Sequence, residues 1–293
     1  MERSSIMPEP MLITVIDELS TWYPPAEAVD DLLIHMGHYT HALVARWTPQ
    51  RPIAAASAWL DPNTLPANTI DRFHERGVRV LVSAAGLQAS SDLDPREYAG
   101  ALARFVRSND FDGVSLATDD RASASSPAML SEWLYAATDV LRHLLPADAL
   151  IAHEAPASAF SPATDAPYLQ VHERAGEHID FYVLRYFGED SSDALDFDSL
   201  FVEAPPSRAG TALDELREAG LDPAKLVVGL PVTGGPGRSD HVELGELATM
   251  VRRRIESSEP LAGVCGWNWA SDRKLFGGAW SKTLARALGA RDT

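Results

Sequence analysis

The stretch MLITVIDELSTWYPP, Met11–Pro25, decides the fold. Its first six residues form a largely apolar run with no strict alternation, as expected of a strand covered on both faces. Asp17-Glu18 and then Trp22-Tyr23-Pro24-Pro25 follow it. A doubly wound sheet would ordinarily carry a glycine-rich phosphate loop at this point. The acidic, aromatic segment argues against that fold.

Working outward, the same pattern returns seven times. Strands are expected at Met11–Asp17, Thr40–Trp47, Arg79–Ala85, Gly113–Thr118, Ala149–His153, Phe181–Tyr186, Lys225–Pro231 and Gly263–Trp267. Helices are expected at Ala26–Met36, Thr69–Arg76, Pro95–Ser108, Pro127–Leu145, Leu213–Ala219, Leu244–Ser257 and Ser281–Leu288, with one more at Tyr168–Ala175. Gly37, Gly77 and Gly220 stand where a helix favours a terminating glycine. Eight such units in 293 residues make an α/β protein, a single-domain TIM (β/α)₈ barrel. The polar stretches Arg121–Ser126 and Glu189–Ala209 read as extended loops on the face where a barrel places its site.

Composition limits the partners. Apolar residues make up 45% and charged residues 23%, the balance of a globular protein. A net charge of −17 repels phosphate backbones and anionic lipid, so neither nucleic acid nor a membrane is an expected partner. The densest basic stretch, Arg252-Arg253-Arg254, reads as a solvated helix face. The single cysteine, Cys265, reads as a buried small hydrophobe and permits no internal disulfide. With no signal-peptide pattern in this chain, a cytoplasmic location is expected. Neither a cofactor nor a metal is expected, because His35, His38 and His41 lack the spacing of a metal-binding helix.

In a barrel, chemistry sits at the C-terminal ends of the strands. Those positions hold Asp17, Glu18, Trp22 and Tyr23, then Arg46 and Trp47, then Ser83 and Gln88. Asp119 and Asp120 follow the fourth strand, Glu154 the fifth, and Arg185 and Tyr186 end the sixth. Thr233, Trp267, Asn268, Trp269 and Asp272 complete the set. Carboxylates among aromatic rings suit a sugar, whose C–H face stacks on a ring while its hydroxyls donate to carboxylates. The ligand contacts expected from this set are Asp17, Trp22, Trp47, Ser83, Arg185, Tyr186, Trp267, Asn268 and Trp269. Arg185 would grip an anion or pair with a mouth carboxylate. The loop Gly234-Gly235-Pro236-Gly237 reads as a flexible part of the mouth.

Six segments carry a family resemblance. They are Phe111–Asp119, Ile179–Gly188, Val80–Gly86, His153-Glu154-Ala155-Pro156, Gly229-Leu230-Pro231 and Gly263–Trp267. In order along the chain they resemble the strand motifs of glycoside hydrolase family 18, the chitinase and endo-N-acetylglucosaminidase family. The resemblance implies a barrel, an oligosaccharide ligand and Trp267 as the floor of the sugar site. It also implies a substrate-assisted mechanism, in which the substrate's acetamido group is the nucleophile.

The departures fall on the chemistry. Against the fourth-strand motif D-x-x-D-x-D-x-E, the chain keeps Asp112, has Ser115 and Ala117 for the second and third Asp, and Asp119 for the acid Glu. On the sixth strand Arg185 stands for Gln, Phe187 for the catalytic Tyr and Gly188 for its Asn or Asp neighbour. Losing one preorganised group costs roughly 10²–10³ in rate. Displacing the acid by about 1 Å can cost a further ~10²-fold. Chitinase-type hydrolysis is therefore not expected, and the first expectation is a carbohydrate-binding pseudoenzyme. Two alternatives remain. Asp119 or Asp120 with Glu154 could form a rebuilt acid–base pair, or Arg185, Trp47 and Trp267 could hold a small anionic or aromatic metabolite.

Overall fold

A computed structural model describes residues 9–17, 33–34, 36–49, 68–84, 94–118, 126–188, 194–233 and 241–290. Its eight strands are β1 (Met11–Ile16), β2 (His41–Trp47), β3 (Arg79–Ala84), β4 (Gly113–Ala117), β5 (Leu150–Pro156), β6 (Phe181–Arg185), β7 (Leu226–Pro231) and β8 (Gly263–Trp267). They pair in parallel and in chain order, and β8 pairs back onto β1 to close the barrel.

Nine helices lie among the described residues: α1 (Thr69–His74), α2 (Pro95–Ser108), α3 (Pro127–Leu144), α4 (Pro167–Ala175), α5 (Phe197–Phe201), α6 (Leu213–Glu218), α7 (Leu244–Glu256), α8 (Trp269–Phe276) and α9 (Ala279–Ala287). The α2 helix shows how the sequence encodes them. Pro95 opens it, the Asp94 side chain accepts the Arg96 N–H at 2.7 Å, and Tyr98, Ala99, Leu102, Ala103 and Val106 form its buried face. The expected helix at Ala26–Met36 falls almost wholly outside the described residues.

Three expectations are corrected. The stretch Glu189–Ala209 holds α5, one short turn that Asp196 and Ser199 close with a reciprocal capping box. Asn268 caps α8, which the sequence pattern did not reveal. Arg254 is not on a solvated face: it is buried, with Nη2 2.9 Å from Asp214 Oδ1, while Arg253 stacks over the Phe197 ring at 3.6 Å.

The N-terminal end of the barrel is braced twice in the same way. Asp112 Oδ2 accepts the Val80 N–H at 2.6 Å and lies 2.9 Å from His74 Nε2. Asp180 Oδ2 accepts the Ile151 N–H at 2.8 Å and an Arg142 N–H at 2.9 Å. Each aspartate precedes an even-numbered strand and ties it to the strand before. Gly113 follows the first brace, where a Cβ would collide with the Leu150 carbonyl. Asp112, the one kept aspartate of the fourth-strand pattern, thus stabilises the end of the barrel opposite the mouth. Asp112→Ala is expected to lower stability by about 1.5–3 kcal/mol, the range for a hydrogen bond to a charged group. Urea titration measures it; a midpoint unchanged from the parent would refute the brace.

Candidate functional site

Alternation sorts the strand residues into two layers. Ile13, Val15, Leu43, Ala45, Leu81, Ala152, Phe181, Val183, Val227 and Cys265 pack together inside the barrel, with Trp267 against them. Ser83, Glu154, Arg185 and Asp17 lie two residues beyond Leu81, Ala152, Val183 and Val15, on the same faces. Ser115 and Ala117 join them, in register with Ser83 and Glu154. These side chains gather at the C-terminal mouth.

The centre of the mouth is a buried ion pair. Glu154 and Arg185 are 1% and 5% exposed, so neither charge reaches bulk water. Arg185 Nε lies 3.9 Å from Glu154 Oε1, and Nη2 donates to the Thr118 carbonyl at 2.6 Å. Thr118 donates its own N–H to the Glu154 carbonyl at 3.0 Å, and its Oγ1 lies 3.2 Å from Tyr168 Oη. One guanidinium therefore ties the ends of β4, β5 and β6. Burial, and secondly the negative charge of Glu154, hold the Cys265 thiol well above its ordinary pKa. Cys265 is no nucleophile there. The Ser115 hydroxyl, one layer below this centre on β4, is fully buried with no hydrogen-bond partner.

The rim is different. Phe187 and Trp267 meet with ring centroids 5.7 Å apart and planes tilted by 48°. Asn268, next in the chain, donates from Nδ2 to Asp17 Oδ1 at 2.6 Å and accepts the Ser271 N–H at 3.0 Å. All four residues except Phe187 were expected in the site; Phe187 was read only as the replacement for a tyrosine. Counting by twos from Phe181 would have placed it beside the mouth.

Three expected ligand contacts lie elsewhere. Trp47 packs in the layer between barrel and helices, edge-on to Tyr98 with centroids 5.4 Å apart. A register irregularity between Ala45 and Trp47 reverses the parity of β2, so Trp47 turns outward although Ala45 points in. Tyr186 also turns outward, as alternation from Arg185 requires, and its hydroxyl donates to the Thr211 carbonyl at 2.6 Å. Trp269 opens α8 and is buried in the outer layer. Asp272, another candidate, is a buried structural node. It accepts from Tyr39 Oη at 2.8 Å and the Trp280 N–H at 3.0 Å. Glu154 lies within β5, since that strand ends three residues later than expected. Trp22, Asp119, Asp120 and the Gly234–Gly237 loop lie outside the described residues.

Chemically, this arrangement separates charge from surface. The Arg185 guanidinium is directed at Thr118 and Glu154 and not at an incoming anion. Glu154 sits against that cation, buried with it at the centre of the mouth. Among the described residues no group of three or more His, Cys, Asp and Glu side chains could hold a metal ion. None of their helices is long and apolar enough to cross a membrane. A separate cleft of about 560 Å³ lies between α5 and α7, lined by Asp196, Phe197, Glu246 and Arg253 among others.

No protein-family model matches the sequence, and no curated protein matches it. Solved structures do. A GH18 chitinase from Pseudoalteromonas aurantia superposes with a TM-score of 0.72 at 22% identity, over 94% of this chain and 99% of that one. A fungal endo-beta-N-acetylglucosaminidase of glycosyl hydrolase family 18 gives 0.67 at 17% identity, over 96% and 98%. A GH18 chitinase from Cycas revoluta in complex with (GlcNAc)3 gives 0.66 at 13% identity, over 95% and 100%. At these identities the likeness is one of fold. The chain folds as the barrel on which the family 18 glycoside hydrolases are built.

Proposed function

We propose that this chain binds an oligosaccharide across the barrel mouth, over Trp267 and Phe187, and does not hydrolyse it by the substrate-assisted route. The observation that carries the reading is the composition of the mouth itself. The inward positions at the ends of β4 and β6 hold Ser115, Ala117, Arg185 and Phe187, which supply neither an acid nor a tyrosine hydroxyl, and the carboxylate of Glu154 is paired with Arg185. Aromatic rings beside a fixed carboxylate are what a sugar's two kinds of surface need. The Cycas revoluta chitinase that shares the fold was solved in complex with (GlcNAc)3, which supports the same ligand class here.

Native mass spectrometry with N-acetylglucosamine oligomers tests the reading. An adduct that stays intact for hours is expected. Shortened oligomers would overturn the loss of hydrolysis and point to a rebuilt acid–base pair. Absence of any adduct would overturn the sugar-binding reading. Trp267→Ala is expected to weaken binding by about 2 kcal/mol, roughly 30-fold, as for an aromatic anchor at the centre of an interface. Titration calorimetry reads it, and an unchanged Kd would remove Trp267 from the site.

A further inference from the structure

We propose that Asn268 is a positioning residue: it does not itself bind the ligand but presents the Asp17 carboxylate to it beside Trp267. The inference rests on the sugar-binding reading above and adds a specificity-determining residue to it. Asn268 uses both ends of its side chain on the protein. Its Oδ1 accepts the Ser271 N–H at 3.0 Å as the cap of α8, and its Nδ2 donates to Asp17 Oδ1 at 2.6 Å. The helix it caps is anchored in turn. Four residues on, Asp272 accepts from the Tyr39 hydroxyl and from the Trp280 and Ser281 N–H groups, all within the buried outer layer.

One side chain thus joins three things: the start of α8, the aromatic ring at 267 through the adjacent peptide, and the carboxylate that follows β1. Asp17 is half-buried at the rim, whereas Glu154 is sealed beneath Arg185. A carboxylate held in one orientation next to a ring is suited to accept from a sugar hydroxyl while the C–H face stacks. Held by a hydrogen bond, it also loses less rotamer freedom when the ligand arrives.

The test separates capping from presentation, using a tetramer of N-acetylglucosamine in titration calorimetry alongside thermal melting. Aspartate and serine cap a helix as well as asparagine does. Asn268→Ser keeps the cap and deletes the bond to Asp17; Asn268→Asp keeps the cap and sets two carboxylates against each other. Both are expected to weaken binding, the second by roughly tenfold or more. The exchange Asp17→Asn with Asn268→Asp restores the hydrogen bond with donor and acceptor reversed. It is expected to recover the melting temperature but not the affinity, because the carboxylate now stands on the wrong residue.

Recovery of both would show a purely structural brace and overturn the proposal. So would parent-like affinity in Asn268→Asp. Failure of the parent protein to bind the tetramer would instead overturn the sugar-binding reading, and this inference with it.

Discussion

Arg185→Leu is expected to destabilise the protein by about 3–5 kcal/mol, the cost of leaving one member of a buried ion pair unpaired. Glu154 is 1% exposed, so water cannot replace the guanidinium once it is gone. The Thr118 carbonyl loses its 2.6 Å donor in the same step. A marginally stable domain has only about 5–15 kcal/mol to lose, so this change consumes a large part of it. The double variant Arg185→Leu with Glu154→Leu is expected to recover most of the loss, since apolar side chains of similar volume commonly replace buried pairs at little cost. Urea unfolding of the parent, both singles and the double measures the coupling. A double variant no more stable than Arg185→Leu would mean that the loss does not come from the unpaired charge of Glu154.

The second large effect is acid destabilisation carried by two histidines. His153 is fully buried between β5 and α3, with Nε2 3.0 Å from Thr138 Oγ1, and burial lowers its pKa from 6.5 to about 3. His41 opens β2, and burial together with the Arg79 charge lowers it from 6.5 to about 4. Both are neutral when folded and bind a proton more readily when unfolded. Their contribution is therefore complete above pH 6.5 and is lost as the pH falls from there toward 4 and 3. Two such groups give a slope of up to about 2.7 kcal/mol per pH unit in the upper part of that window. His153→Gln is expected to roughly halve the slope between pH 6 and 4.5, read from urea midpoints across the series. Equal slopes in parent and variant would show that His153 takes up no proton on unfolding.

The fold was legible because each strand is covered on both faces. Runs such as Val80–Val82 and Leu226–Val228 must be apolar throughout to serve the barrel interior and the helix layer at once. The short helices α5 and α8 were not, because one or two turns capped by Asp196 or Asn268 leave too little helical period to read. In the site, residue type was legible and direction only partly so. Arg185 inward and Tyr186 outward follow from alternation alone. Trp47 does not, because a single irregularity in β2 reverses which neighbour points in. The partnership of Glu154 with Arg185 was one of two readings of that arginine, and only the geometry of adjacent strands chooses it.

Closure of the barrel also determines how a macromolecule could engage this protein. Each of the eight strands already has a hydrogen-bonded neighbour on both sides. No row of unsatisfied backbone amides is left on the barrel for an incoming peptide to extend, and sheet-to-sheet association through such a row is closed as well. Recognition of any partner by the barrel must pass through side chains, whose identity at the rim is where its selectivity is written.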